Sequence, residues 1–253
     1  MFAALVAVVA VALGLLWWAR GPSQAAPSTD QTRLGPVILV PGYGGGTGAL
    51  DTLAARLQAA GRTATVLQLA GDGTGDLMVQ ARRLEAAVDA AIAAGAPSVD
   101  VVGYSAGGVV ARLWAVELGG ASRARRIVLL GSPNHGTDLA ALGAALGGSL
   151  CPAACRQLAP NSDLLAALNA LPEAPAGPQW VSIWSNQDQV VTPPESARLD
   201  GALDIVVQDV CAAESVDHGS LPTDPAMEGL VLRALAGPVM TAPSASDCAA
   251  LRR

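Results

Sequence analysis

The chain has no lysine and only two histidines, His135 and His218, and charged residues make up just 14% of its 253 positions. Each scarcity removes a class of explanation. Without lysine, no phosphate-binding loop ending in Gly-Lys-Ser/Thr can be completed. All 15 basic residues are arginines, the net charge is −6, and the densest basic group is Arg123, Arg125 and Arg126. That is too dispersed for a nucleic-acid-binding face. Two histidines and no paired C-x-x-C leave no zinc ligand set, so neither metal nor cofactor is expected. The low charge comes with 51% hydrophobic residues. This excludes disorder, which needs few apolar residues and many charges. It suits a sheet covered on both faces. No internal repeat is present, and the length suffices for one large α/β domain.

Residues 2–19 form an unbroken apolar run ending at Arg20. It matches the shortest stretch that spans a bilayer, roughly 17 residues. A turn-rich segment follows, and Ser23-Gln24-Ala25 offers a small-residue cleavage site. Residues 1–20 are therefore read as a signal peptide or an N-terminal membrane anchor. Residues 21–33 read as a linker, and residues 34–253 as the folded domain. Cys151, Cys155, Cys211 and Cys248 are even in number, as an exported chain with two disulfides would have them. Cys151–Cys155 as a local staple and Cys211–Cys248 as a tie for the C-terminal tail are the expected pairs.

Strand and helix patterns alternate along the domain. Short apolar runs at 37–40, 99–102, 127–130, 180–184 and 204–207 read as buried strands, and 63–69 alternates like a strand. Helical periodicity falls at 48–60, 76–94, 106–118 and 225–236. Such alternation predicts a mostly parallel sheet with helices on both faces. Residues 139–175 break the rhythm. They read as a helical insertion over one edge of the sheet, a candidate lid or cap.

Gly103-Tyr104-Ser105-Ala106-Gly107 lies where a buried strand meets a helix. A serine on that turn is held clear of the sheet, and glycines two residues either side avoid collision with neighbouring backbone. Serine needs a general base to attack at neutral pH. His135 follows the 127–130 strand too closely to leave room for an acid between serine and base. His218, in a late turn-rich loop, is the expected base. Asp188, just after the 180–184 strand, is the expected acid that orients it. Asp204 and Asp209 are reserves, and Asp217 adjoins His218 too closely in sequence to approach its ring. His135 is assigned a structural role. Pro41-Gly42-Tyr43-Gly44-Gly45-Gly46 follows the first strand and can present bare amides. The N–H groups of Tyr43 and Ala106 are the expected oxyanion donors, each typically worth about 3 kcal/mol of transition-state stabilisation. Tyr104, Leu139 and Leu142 are candidate substrate contacts.

With these residues in view, the chain resembles bacterial lipases and esterases of the α/β-hydrolase superfamily. The matching pieces are Val-Ile-Leu-Val-Pro-Gly-Tyr-Gly-Gly at 37–45, Val-Val-Gly-Tyr-Ser-Ala-Gly-Gly at 101–108 and Leu-Leu-Gly-Ser-Pro-Asn-His-Gly-Thr at 129–137. Pro41 stands where such enzymes commonly have histidine. The close cysteine pair with Gln-Leu-Ala-Pro-Asn-Ser-Asp-Leu-Leu at 157–165 is similar to secreted actinobacterial members. The resemblance implies an α/β-hydrolase fold and hydrolysis of carboxylic esters or lipids through an acyl-enzyme. The N-terminal segment and the cysteines lead to the expectation of a secreted or extracytoplasmic chain, with possible membrane attachment through residues 2–19; a monomer acting on an ester or lipid substrate, without nucleic acid, is expected. Two other readings stay open: acyl transfer by the same residues, and a membrane-anchored hydrolase-fold binding module without catalysis.

Overall fold

The computed structural model describes residues 29–147, 150–237 and 239–253. The 2–19 segment lies outside the described residues. Among those described, no helix is long and apolar enough to cross a membrane.

Six parallel strands form one sheet: β1 (Val37–Val40), β2 (Ala64–Val66), β3 (Val99–Tyr104), β4 (Ala124–Leu130), β5 (Gln179–Trp184) and β6 (Leu203–Val206), in the order β2-β1-β3-β4-β5-β6. Side-chain alternation divides the strand residues between two cores. On one face Leu39, Val102, Leu130 and Ile183 meet helices α1 (Gly48–Ala59) and α8 (Pro225–Leu235). On the other, Val40, Val101, Leu129 and Trp180 meet α2 (Leu77–Ala93) and α3 (Ala106–Glu117). The near-continuous apolar runs follow from this double burial. Helix starts are set locally. Asp76 accepts the Met78 N–H at 2.7 Å at the head of α2, and Asp224 with Pro225 opens α8.

Differences from the sequence reading have physical causes. β2 is only three residues long. It is an edge strand held on one side, and the ladder ends with Leu67 N–H donating to Leu39 O. β4 begins at Ala124, three residues earlier than the apolar run implies, because Arg125 and Arg126 are buried within it. Arg125 and Arg62 both donate to Asp100 Oδ2 at 2.6 Å. Asp100 is fully buried at the start of β3, at the end of the sheet away from Ser105. The paired charge and the apolar run from Ile127 to Leu130, at about 1.5–3 kcal/mol per side chain, make this burial tolerable. Residues 29–33, expected as linker, are fastened to the domain: Gln31 Nε2 donates to the carbonyl of Ala121 at 2.8 Å, and Thr29 to that of Ser122.

The insertion after β4 contains α4 (Asp138–Leu146), α5 (Ala153–Gln157) and α6 (Asp163–Asn169). Where the sequence suggested a cover over one sheet edge, its helices pack chiefly on the helices of one sheet face. Ala154, Leu158, Leu165 and Leu168 join the α2–α3 core, and Gln157 Oε1 accepts the Leu77 N–H at 2.9 Å. The chain then runs through α7 (Val207–Val210) and ends in α9 (Cys248–Leu251). Cys151–Cys155 and Cys211–Cys248 are bonded as expected.

Candidate active site

Ser105 and Asp188 follow the carboxyl ends of β3 and β5, and His218 lies in the loop after α7. Ser105 joins β3 to α3 with φ 54° and ψ −127°, a conformation that non-glycine residues rarely adopt. The surroundings enforce it. A Cβ on Gly107 would lie 2.2 Å from the Val40 carbonyl oxygen, and one on Gly103 would lie 2.5 Å from Gly108 Cα. The turn is therefore pressed against both the neighbouring strand and its own helix. Ser105 N–H donates to Leu130 O at 2.8 Å, which fixes the turn to β4.

His218 opens a short 3₁₀ turn, His218–Ser220, capped by Asp217, whose carboxylate accepts the Ser220 N–H at 2.8 Å. Hydrogen bonding from Ser220, its hydroxyl foremost and this N–H next, holds the exposed Asp217 carboxyl below its ordinary pKa. His218 Nε2 lies 2.9 Å from Ser105 Oγ, and Nδ1 lies 2.6 Å from Asp188 Oδ2. With a carboxylate at Nδ1 the ring proton belongs there, leaving the Nε2 lone pair for the serine hydroxyl. Asp188 Oδ1 is filled by the N–H groups of Val190 at 2.8 Å and Val191 at 2.9 Å. The carboxylate is buried, 2% exposed, so both oxygens need those donors.

The reserve acids lie elsewhere. Asp204 caps the Leu199 amide, and Asp209 sits on α7. His135 is bound away from the serine, with Nε2 2.8 Å from Glu173 and Nδ1 3.3 Å from Ser196 O. Tyr104, expected against substrate, turns the other way. Its hydroxyl donates to His218 O at 3.0 Å and its ring lies 5.3 Å from the imidazole. Burial foremost, aided by the nearby Asp188 and Asp217 charges, pushes its pKa up to about 12.

Gly42 abuts Ser105: a Cβ there would lie 2.9 Å from Ser105 Cβ. Among the described residues, neither the Tyr43 amide nor the Ala106 amide donates to any acceptor. Beside them opens a mostly apolar cavity of about 350 Å³ that reaches Ser105. Tyr43, Leu139, Leu142, Leu146 and Val190 are among its lining residues, and Cys155 of the first disulfide forms part of its wall.

Gly131 escaped the sequence reading. At φ 52°, just past β4, its missing Cβ would lie 3.2 Å from Asp188 Oδ2 and 3.5 Å from His218 Nδ1. A glycine ending a buried strand was the available signal, but nothing in the sequence tells what packs on it. Among the described residues one cysteine–acid cluster, Cys211, Glu214 and Cys248, has the proximity of a metal site. Both of its sulfurs are in a disulfide and offer no thiolate.

Residues 36–219 match the model of a family described as lipase (class 2). No curated protein matches the chain. Among solved structures, Aspergillus fumigatus lipase B is similar with a TM-score of 0.72 at 20% identity, over 89% of this chain and 58% of its own. The mature form of Bacillus licheniformis lipase BlEst2 is similar with a TM-score of 0.65 at 17% identity, over 84% of this chain and 96% of its own. Legionella pneumophila phospholipase PlaB follows with a TM-score of 0.58 at 16% identity, over 87% of this chain and 62% of its own. The chain thus spans little more than half the length of the fungal lipase, and these likenesses at low identity speak to the fold.

Proposed function

The chain belongs to the class 2 lipase family, and on that premise we propose that it hydrolyses carboxylic esters through a covalent acyl-enzyme on Ser105. The observation that carries this reading is the unbroken run of hydrogen bonds from Ser105 Oγ through His218 to Asp188, at 2.9 and 2.6 Å. Oγ attacks the ester carbonyl carbon while His218 Nε2 takes its proton. The tetrahedral oxyanion is met by the Tyr43 and Ala106 amides, which have no other acceptor among the described residues. The carbon–oxygen bond to the alcohol then breaks, and His218 returns the proton to the leaving oxygen. Water, deprotonated by the same imidazole, attacks the acyl carbonyl and frees the acid. Asp188 holds the tautomer and stabilises the imidazolium formed in each half-reaction.

The apolar cavity beside Ser105 supports an aliphatic acyl group as the bound part of the substrate. The neighbours are named lipases and a phospholipase, in keeping with lipid esters. The exposed Leu142 and Leu146 on α4 support a role for the insertion as the movable wall of this cavity. Two disulfides support work in an oxidising, extracytoplasmic compartment, with residues 2–19 as signal or anchor. The test is a pre-steady-state burst of p-nitrophenol from a p-nitrophenyl ester. The wild type should release it stoichiometrically with enzyme, and Ser105→Ala should abolish both burst and turnover. Full activity in that variant overturns the reading.

A further inference from the structure

We propose that Ser185 is a positioning residue that clamps the acid-bearing loop to the base-bearing loop and thereby sets the Asp188–His218 contact. The proposal rests on the hydrolase reading above, because it concerns how that catalytic pair is held.

Asp188 and His218 come from different loops, thirty residues apart in the chain. Ser185 is the first residue after β5 and precedes Asp188 by three positions. Its side chain is fully buried. The hydroxyl donates to the carbonyl of Val216, two residues before His218, at 2.7 Å. It accepts from the Gln187 N–H at 3.1 Å and from Gln208 Nε2 at 2.9 Å. A serine hydroxyl has one proton and two lone pairs, so this one is saturated. Gln208 completes the bridge. Its Oε1 accepts the Asn186 N–H at 3.1 Å, and its Nε2 also reaches Glu214 O at 3.4 Å. A second tie runs beside it, from Ser215 Oγ to Gln187 Oε1 at 2.9 Å.

The geometry therefore joins residues 185–188 to residues 214–218 through one buried oxygen and its glutamine partner. Apart from the catalytic pair itself, no other side chain among the described residues bonds to both loops from inside the protein. Removing the hydroxyl strands the Val216 carbonyl and frees the two loops to separate, so the 2.6 Å contact at Nδ1 lengthens. Local misplacement of that kind, rather than global unfolding, is the expected lesion. Catalysis is steeply sensitive to it, at about a hundredfold for 1 Å.

The experiment compares wild type, Ser185→Ala, Ser185→Thr and Gln208→Leu. Active sites are titrated first with a fluorophosphonate, so that rates refer to folded, reactive enzyme. For Ser185→Ala, kcat per titrated site should fall about tenfold to a hundredfold with KM little changed. The acid limb of kcat/KM should move to lower pH, because a loosened Asp188 stabilises the imidazolium less. Asp217 and Tyr104, the other titratable groups beside the ring, are untouched by the substitution. Ser185→Thr restores the hydroxyl and should restore both readouts. Gln208→Leu, at a half-buried position, should shift both in the same direction by less. If Ser185→Ala does not fold, the outcome is read from Gln208→Leu alone. A merely structural role lowers Tm and the titratable fraction but leaves kcat per site and the acid limb at wild-type values, and that result overturns the proposal. A wild type without burst or labelling instead sinks the hydrolase reading, so the two failures are distinguishable.

Discussion

Substituting Gly131 by alanine should damage stability and catalysis together, and a second glycine separates the two effects. Gly61, just beyond α1, also has positive φ, at 82°, but a Cβ there would meet nothing within 4 Å. Gly61→Ala therefore reports the conformational cost alone, about 1–2 kcal/mol. Gly131→Ala adds contacts. Its Cβ would lie 2.3 Å from Leu221 Cδ1, and Leu221 is fully buried with little room to retreat. Overpacking of that sort costs roughly 1–3 kcal/mol more. At about 2–4 °C per kcal/mol for a protein of this size, Tm should drop by about 4–20 °C in Gly131→Ala and about 2–8 °C in Gly61→Ala. The same methyl would press on Asp188 Oδ2 at 3.2 Å and His218 Nδ1 at 3.5 Å. A displacement of half an ångström corresponds to about a tenfold loss of kcat/KM, whereas Gly61→Ala should keep its activity. The assays are calorimetry and hydrolysis of p-nitrophenyl butyrate per titrated site. If the two variants share the same kcat/KM, Gly131 does not support the acid–base pair and the reasoning fails.

Two further outcomes follow from other parts of the molecule. In Tyr43→Phe, which leaves Tyr104 as the single tyrosine, absorbance at 295 nm should rise near pH 12 rather than pH 10. Because the raised pKa favours the protonated folded state, this residue's contribution to stability is whole below pH 10 and fades between there and about pH 12; a single step at pH 10 in folded protein contradicts it. The two disulfides should differ in worth. Cys211–Cys248 spans 37 residues of sequence and Cys151–Cys155 spans 4. Loop entropy gives about 4 kcal/mol for the first and about 2 kcal/mol for the second. Chemical denaturation of the paired Cys→Ala variants measures both, and equal losses would count against the loop argument.

That Ser105, His218 and Asp188 meet was legible because local chemistry and scarcity coincided. A serine between glycines at a strand-to-helix junction declares its own backbone geometry. With two histidines in the chain, elimination nearly chose the base. Asp188 followed from its place after a strand. What stayed hidden depends on distant partners. Arg125 and Arg126 look like surface residues until Asp100, from another strand, takes the first of them into the interior. Tyr104 reads as a substrate contact until the His218 carbonyl claims its hydroxyl. Ser185 and Gln208 carry no pattern at all, and Gly131 only that of a glycine ending a buried strand, since their meaning arises where three loops converge. The insertion was correctly read as helical, but the surface it covers is set by which neighbours still have apolar area to bury.

The close approach of Gly107 to the Val40 carbonyl divides the surroundings of the cavity at Ser105 into a fixed half and an adaptable half. Strand, turn and helix are in backbone contact there, so no side-chain change can alter the serine's platform without moving main chain. The opposite wall rests on α4, whose leucines face open solvent and whose neighbours are other short helices. Divergence in substrate preference among relatives, or a laboratory search for new specificity, should therefore accumulate its tolerated substitutions along 138–158 and find almost none in 103–108.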